Sequence, residues 1–158
     1  MKAITIIQPW ATLIALGEKQ LETRSWPTKH RGELAIHAGK KIDREACEVA
    51  EIKAALMRHG YTVESLPTGA VVAIASMTEC WSIGMDYQSG MPLLYHAERG
   101  REETRIVGLK ESKSGFYYPG RFAWEMANVN RLLEPIPAKG MQGFWNWEGM
   151  TALGISIV

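Results

Sequence analysis

The chain has 158 residues, 46% of them hydrophobic and 22% charged. That size and mix suit one globular domain with a continuous core and exclude wholesale disorder. Eighteen Lys and Arg stand against seventeen Asp and Glu, a net charge of +1. A uniformly basic coat for nucleic acid is excluded, and any polyanion site must be a local patch.

In chain order, Lys2 to Ile7 is rich in isoleucine and predicts a strand. Pro9 to Leu16 predicts a short helix, with Gly17 suited to the left-handed turn that follows it. The uncharged stretch Ala3 to Gly17 is too short for a bilayer span of ~18 apolar residues. Charged Glu18, Lys19 and Glu22 follow it rather than a small-residue cleavage pattern, so it reads as structure and no membrane partner is expected. Gln20 to Trp26 and Gly32 to Ala38 predict two further strands. Asp43 to His59 predicts the long helix, capped by Asp43 and ended by Gly60, with Ala46, Val49, Ala50, Lys53, Leu56 and Met57 on one stripe.

The run AVVAIASM after Gly69 predicts a strand buried on both faces. Residues 82–120 show no clear period and read as loops, with one short strand around Arg105 to Leu109. Arg121 to Val129 alternates well, Pro135 and Pro137 break the chain, and Thr151 to Val158 is expected as a closing strand. About six strands, one long helix and one short one, without regular alternation, predict an α+β fold. The expected form is a small mixed or antiparallel β-barrel with flanking helices, a single domain over 1–158.

The densest chemistry lies between Gln8 and Lys41. From Gly17 to Lys41 six basic residues meet three acidic ones. Strand alternation places Glu22, Arg24 and Trp26 on one face and Leu21 and Thr23 on the other, with Leu21 toward the core. Lys19 sits at the helix-to-strand turn beside the charged face. Lys19 and Arg24 suit phosphate, Trp26 offers a flat face for a base, and Glu22 can orient a cation or act on a proton. The same spacing also fits an exposed Glu22–Arg24 ion pair with Trp26 covered by the loop from Pro27 to Arg31.

The residues Gln8, Pro9, Trp10, Ala11, Leu13, Ile14, Gly17, Lys19, Glu22, Arg24, Ser25, Trp26, Thr28, Arg31, Gly32 and Leu34 to Ala38 resemble the signature of the ASCH domain family. The later runs TGAVVAIASMTECW, GRFAWEMANV and PAKGMQGFW resemble its remaining strands and closing motif. The resemblance implies a PUA-like barrel and nucleic-acid binding, with RNA as the expected partner. It implies a cleft lined by Lys19, Glu22 and Arg24, with Ser25, Trp26, Thr28 and Arg31 in the adjoining loop and Lys40 at the rim. One branch of the family hydrolyses N4-acetylcytidine, and others have been proposed as ribonucleases. Lys19 matches that branch's lysine. Glu22 stands where the branch has a threonine, and Glu79 is a loose candidate for its later carboxylate.

Other candidates read as structure. Trp145 and Trp147 are expected to close the barrel, with Lys139 facing the cleft, and His37 is expected as a polar contact in the barrel wall. His30, His59 and His96 form no metal-binding spacing, and no phosphate-loop, dinucleotide or nucleophile-elbow motif occurs, so no metal or cofactor is expected. Cys47 and Cys80 are too few for a disulfide framework and read as free thiols of a reducing cytoplasm. Three functions remain: nucleic-acid binding, hydrolysis of RNA or a modified nucleoside by Lys19 and Glu22, and docking of a protein partner.

Overall fold

The computed structural model describes residues 1–96 and 98–149. Its elements are β1 (Lys2–Gln8), α1 (Trp10–Ala15), β2 (Leu21–Arg24), β3 (Gly32–Ile42), α2 (Arg44–Cys47), α3 (Ala50–Arg58), β4 (Ala70–Met85), β5 (Pro92–His96), β6 (Gly100–Ile106), α4 (Leu109–Lys113), β7 (Phe122–Pro137) and β8 (Phe144–Asn146). The strands form one mixed sheet in the order β2-β7-β4-β3-β1-β8, with β5 on the far half of β4 and β6 beside β5. Among the described residues only the β1–β3 ladder is parallel.

Register shifts at three points along the β4–β7 ladder bend these two 16-residue strands, because each extra residue adds local twist. Asn128 takes φ 49° there, a left-handed conformation that asparagine tolerates better than most residues. Pro135 does not end β7 as expected, and the strand runs on to stop at Pro137. Arg131 and Ile136 keep their partners in β4, and the residues between bulge outward with Leu133 fully exposed, so Pro135 removes no ladder bond.

The main core packs Ile4, Ile6, Leu34, Ile36, Val72, Met77 and Trp124 against α1 and α3. Trp145 and Trp147 cover the other side over Ala3, Ala35, Val71 and Ile74, so AVVAIASM is buried on both faces as its composition predicts. Each large side chain so buried contributes roughly 1.5–3 kcal/mol.

Two expectations shift. The predicted long helix is capped by Asp43, whose carboxylate accepts from the Ala46 N–H at 3.0 Å, but it breaks at Val49, which is extended (φ −60°, ψ 128°). The restart changes the helical phase. Cys47, Ile52, Ala55 and Leu56 face the core, while Lys53 and Met57 point to water. Residues 82–120, expected as loops, carry the end of β4, then β5, β6 and α4, and bury Ile83, Leu94, Val107 and Tyr117 around Leu21. The strand count among the described residues is therefore eight. The expected strand Thr151 to Val158 lies outside the described residues.

The sheet is barrel-like without closing. β8 pairs only with Lys2–Ile4, so the Thr5–Gln8 end of β1 faces β2 across an open seam. The Arg24 side chain spans that seam, donating from Nη2 to the Thr5 carbonyl at 2.7 Å. At one end Trp26, just after β2, meets Phe144 of β8 edge-on with ring centres 5.5 Å apart. A second opening lies along β4. β3 leaves at Met77 and β5 joins at Ser82, so residues 78–81 have no strand partner on that edge among the described residues.

Candidate functional site

α1 is only six residues long, and its first turn is held from outside. The buried Gln8 side chain accepts from the Thr12 N–H at 3.0 Å and donates to the Thr12 hydroxyl and the Pro67 carbonyl. Gly17 then turns the chain with φ 74°, and the N–H groups of Glu18 and Lys19 both donate to the Leu13 carbonyl. Nothing crowds a Cβ at Gly17, so the backbone angle alone demands glycine. This tight return carries Lys19 under α1.

Lys19 is 1% exposed, against the expectation of a surface cation. Its ammonium lies 3.2 Å from the Tyr117 hydroxyl and 3.4 Å from Glu111. Tyr117 donates in turn to Glu111 at 2.9 Å, and the Leu21 N–H donates to the same carboxylate oxygen at 3.1 Å. Burial pushes the Lys19 ammonium below its ordinary range, opposed by Glu111 and Glu22. Burial also pushes the Tyr117 phenol far up, so it stays a donor. The carboxylate that meets Lys19 is thus Glu111 of α4, and Glu79 lies elsewhere.

Glu22 is 8% exposed and points into the seam. Its nearest cation is Arg24 Nε at 3.4 Å, and no described side chain or N–H hydrogen-bonds its carboxylate. Arg24 Nε is itself buried without a hydrogen-bond partner. Burial raises the Glu22 carboxyl above its ordinary range, while Arg24, Lys19 and Arg121 pull it back. The Glu22 oxygens are not sealed in, since the side chain is 11% exposed, so their acceptors are open to donors from whatever occupies the pocket.

The seam holds a cavity of about 280 Å³ with Lys19, Glu22, Arg24 and Arg121 as its charged lining and Trp10, Trp26 and Phe116 as its aromatic walls. Trp10 is fixed by its indole N–H, which donates to the Ser114 carbonyl at 2.8 Å, and Phe116 tilts against it at 5.3 Å. Tyr118, largely exposed, stacks beyond Phe116 at 6.4 Å and extends an aromatic shelf outward. Trp26 is half-buried between Trp124 and Phe144, so its ring is a wall rather than a free platform.

Beside the pocket runs a groove of about 1190 Å³ that shares Thr5, Ile7, Arg24 and Trp26 with it. Its charged lining is Arg24, Lys40 and Lys139, with no carboxylate. His37 lines it as a structural residue. Its Nε2 donates to the Ala138 carbonyl at 2.7 Å, while Nδ1 meets Thr5 Oγ1, which accepts from the Trp145 indole. Gly140 lies so close that a Cβ there would meet His37 and Thr5 at 2.5–2.7 Å.

The structure brings together Lys19, Glu22, Arg24, Ser25 and Trp26, with Lys40 in the adjoining groove. It separates Thr28 and Arg31, which line a different cavity of about 620 Å³ at the opening beside β4. There Arg31 pairs with Glu79 at 2.7 Å and also donates to the Thr28 and His30 carbonyls. Glu111, Tyr117, Trp10, Phe116 and Arg121 escaped sequence reasoning in these roles. The one signal for the distant partners was the aromatic pair Tyr117-Tyr118, set in a stretch with no period. Among the described residues no cluster of three or more His, Cys, Asp or Glu side chains could hold a metal ion. No helix among them is long and apolar enough to cross a membrane.

Comparison with known proteins gives this geometry a setting. The family model for the ASCH domain matches residues 4–136. Activating signal cointegrator 1 of Homo sapiens is 36% identical over 83 residues, and that of Mus musculus 37% over 84. Those matches take in 50% of this chain and only 14% of the cointegrators' length. The crystal structure of an ASCH protein from Zymomonas mobilis superposes with a TM-score of 0.50, covering 96% of this chain and 90% of that one at 14% identity. At that identity the likeness speaks for the fold alone.

Proposed function

The chain belongs to the ASCH domain family, and from that premise we propose that it is a single nucleic-acid-binding domain. It holds a single strand, RNA foremost, along the Arg24–Lys40–Lys139 groove and turns one base into the seam pocket. The observation that carries this reading is the charge of the groove. On a protein of net charge +1, every charged side chain along it is a cation. Phosphates gain from such a row because they release their counterions. The pocket, near the small end of ligand cavities, offers aromatic walls and a polar floor, the pairing by which unstacked bases are held. Lys19 belongs to that floor and not to the phosphate path.

The test is the affinity of a short single-stranded RNA at rising salt. Three phosphate contacts predict a log–log slope of about −2, at ~0.7 per contact. Lys40→Ala and Lys139→Ala should each flatten it by about 0.7. No binding, or a slope indifferent to both changes, contradicts the proposal.

One observation favours a second reading of the same pocket. Burial lowers the Lys19 pKa and raises that of Glu22, the direction that brings a lysine and a carboxyl toward acid–base work. Incubation with N4-acetylcytidine and with short RNAs, followed by chromatography against a Lys19→Ala control, decides it. Turnover above the control supports a hydrolase, and its absence leaves binding.

A further inference from the structure

We infer that the seam pocket is selective for guanine, read through its Watson–Crick edge by the Glu22 carboxylate and the Lys19 ammonium. The inference rests on the reading above that a base enters this pocket, and it adds which base.

It starts from hydrogen-bonding capacity left unmet inside the fold. Glu22 lines the cavity with a side chain 11% exposed, and accepts no hydrogen bond from any described side chain or N–H. Its ion contact with Arg24 Nε is long at 3.4 Å, and that nitrogen lacks a hydrogen-bond partner of its own. Lys19 lines the same cavity. Of the three N–H bonds on its ammonium, two are directed to Glu111 and Tyr117, which leaves one donor. Glu22 therefore brings two carboxylate acceptors to the pocket and Lys19 one uncommitted N–H, between aromatic walls, with Arg24 and Arg121 as the other cations of the lining, each with an Nε that has no hydrogen-bond partner.

Guanine is the base that answers this set. Its N1–H and N2 amino group are adjacent donors for the two carboxylate oxygens, and its O6 is an acceptor for the ammonium. Uracil offers one N–H between two carbonyls, one of which would face a carboxylate oxygen. Adenine and cytosine place a ring-nitrogen acceptor beside their amino group, where an ionised Glu22 has no proton to give. Burial raises the Glu22 carboxyl, and Arg24, Lys19 and Arg121 oppose that rise, pulling it toward the ionised form that guanine needs. The same edge is available in a strand and in a free guanine nucleotide, so the test includes both.

Labelled heptamers U3-N-U3, with N = G, A, C, U or inosine, are titrated against the full chain by fluorescence anisotropy, and GMP and AMP by calorimetry. The G heptamer should bind about ten- to a hundredfold tighter than the A, C or U heptamers. Inosine, which lacks the amino group, should fall between. The 7-deazaguanine heptamer keeps the Watson–Crick edge and should match G. Glu22→Gln, nearly isosteric and checked by its thermal melt, should collapse the G-to-U affinity ratio toward one. Equal affinity for all heptamers, or a preference for C or A, overturns guanine selectivity and leaves the groove reading standing. Binding of GMP over AMP with no binding of any heptamer supports the guanine pocket and overturns the strand. Failure of every ligand overturns both.

Discussion

The sheet opens in two places, and the two openings hold the same residue types to opposite effect. Beside β4, one oxygen of Glu79 is well supplied with donors. It accepts from Arg31 and the Cys80 N–H, and the other oxygen lies 3.6 Å from His96, which stacks on Trp81. Burial works to raise the Glu79 carboxyl, yet those partners hold it below the usual range. At the β1–β2 seam, Glu22 is more deeply buried, its nearest partner is the long Arg24 contact, and its carboxyl is raised. An arginine–carboxylate pair is therefore weak evidence of a site. What marks the seam is capacity left unmet where aromatic walls and a cationic groove converge.

The largest effect should come from Glu111→Ala, which strips Lys19 of its carboxylate while leaving it buried. A loss of about 3–5 kcal/mol is expected, read as a shift in the denaturant midpoint. A loss under 1 kcal/mol would mean that Lys19 reaches water.

Arg24→Ala removes the side chain that bridges the seam, belongs to both pocket and groove, and balances Glu22. RNA affinity should fall by about 1.5–3 kcal/mol, the worth of charged hydrogen bonds, in a binding isotherm on the folded variant. Arg31→Ala, its counterpart at the other opening, should change RNA affinity by under ~0.5 kcal/mol, since its guanidinium is already committed to Glu79 and two carbonyls. Equal losses in the two variants would erase the contrast between the openings.

The smallest effect concerns pH. Lys110, Arg58 and His59 surround Glu18 and lower its carboxyl from 4.5 to about 2. A depressed carboxylate stabilises the fold above its unfolded pKa, and that share is lost as pH falls from about 4.5 toward 2. This clamp ties the α1–β2 turn to α3 and α4. Glu18→Gln should flatten the acid limb of a stability-versus-pH curve, and an unchanged limb would place the acid sensitivity elsewhere.

The comparison also explains what could be read in advance. Alternation along Leu21–Trp26 correctly separated Glu22, Arg24 and Trp26 from Leu21, because a strand's period is local. Which side was wet was not local information. β5, Val107 just after β6, and the Tyr117 segment cover Leu21, and the charged face turns into the seam rather than out to solvent. Glu111 and Tyr117 reach Lys19 across more than 90 residues from a stretch without period, so no local pattern could announce them. Arg31 and Thr28 shared the motif's spacing with Arg24, yet the loop after Trp26 carries them to the other opening. His37 and the Trp145–Trp147 pair were readable as structure because polar–apolar alternation in a barrel wall is local too.

The most direct measurement is amide chemical-shift mapping with a short single-stranded RNA. The predicted result is that the shifts gather at Thr5–Ile7, Arg24–Trp26, Gly39–Lys40 and Ala138–Gly143, while Glu79–Ser82 and His96 stay still. Shifts centred on the Arg31–Glu79–His96 opening, with the seam silent, would contradict the account.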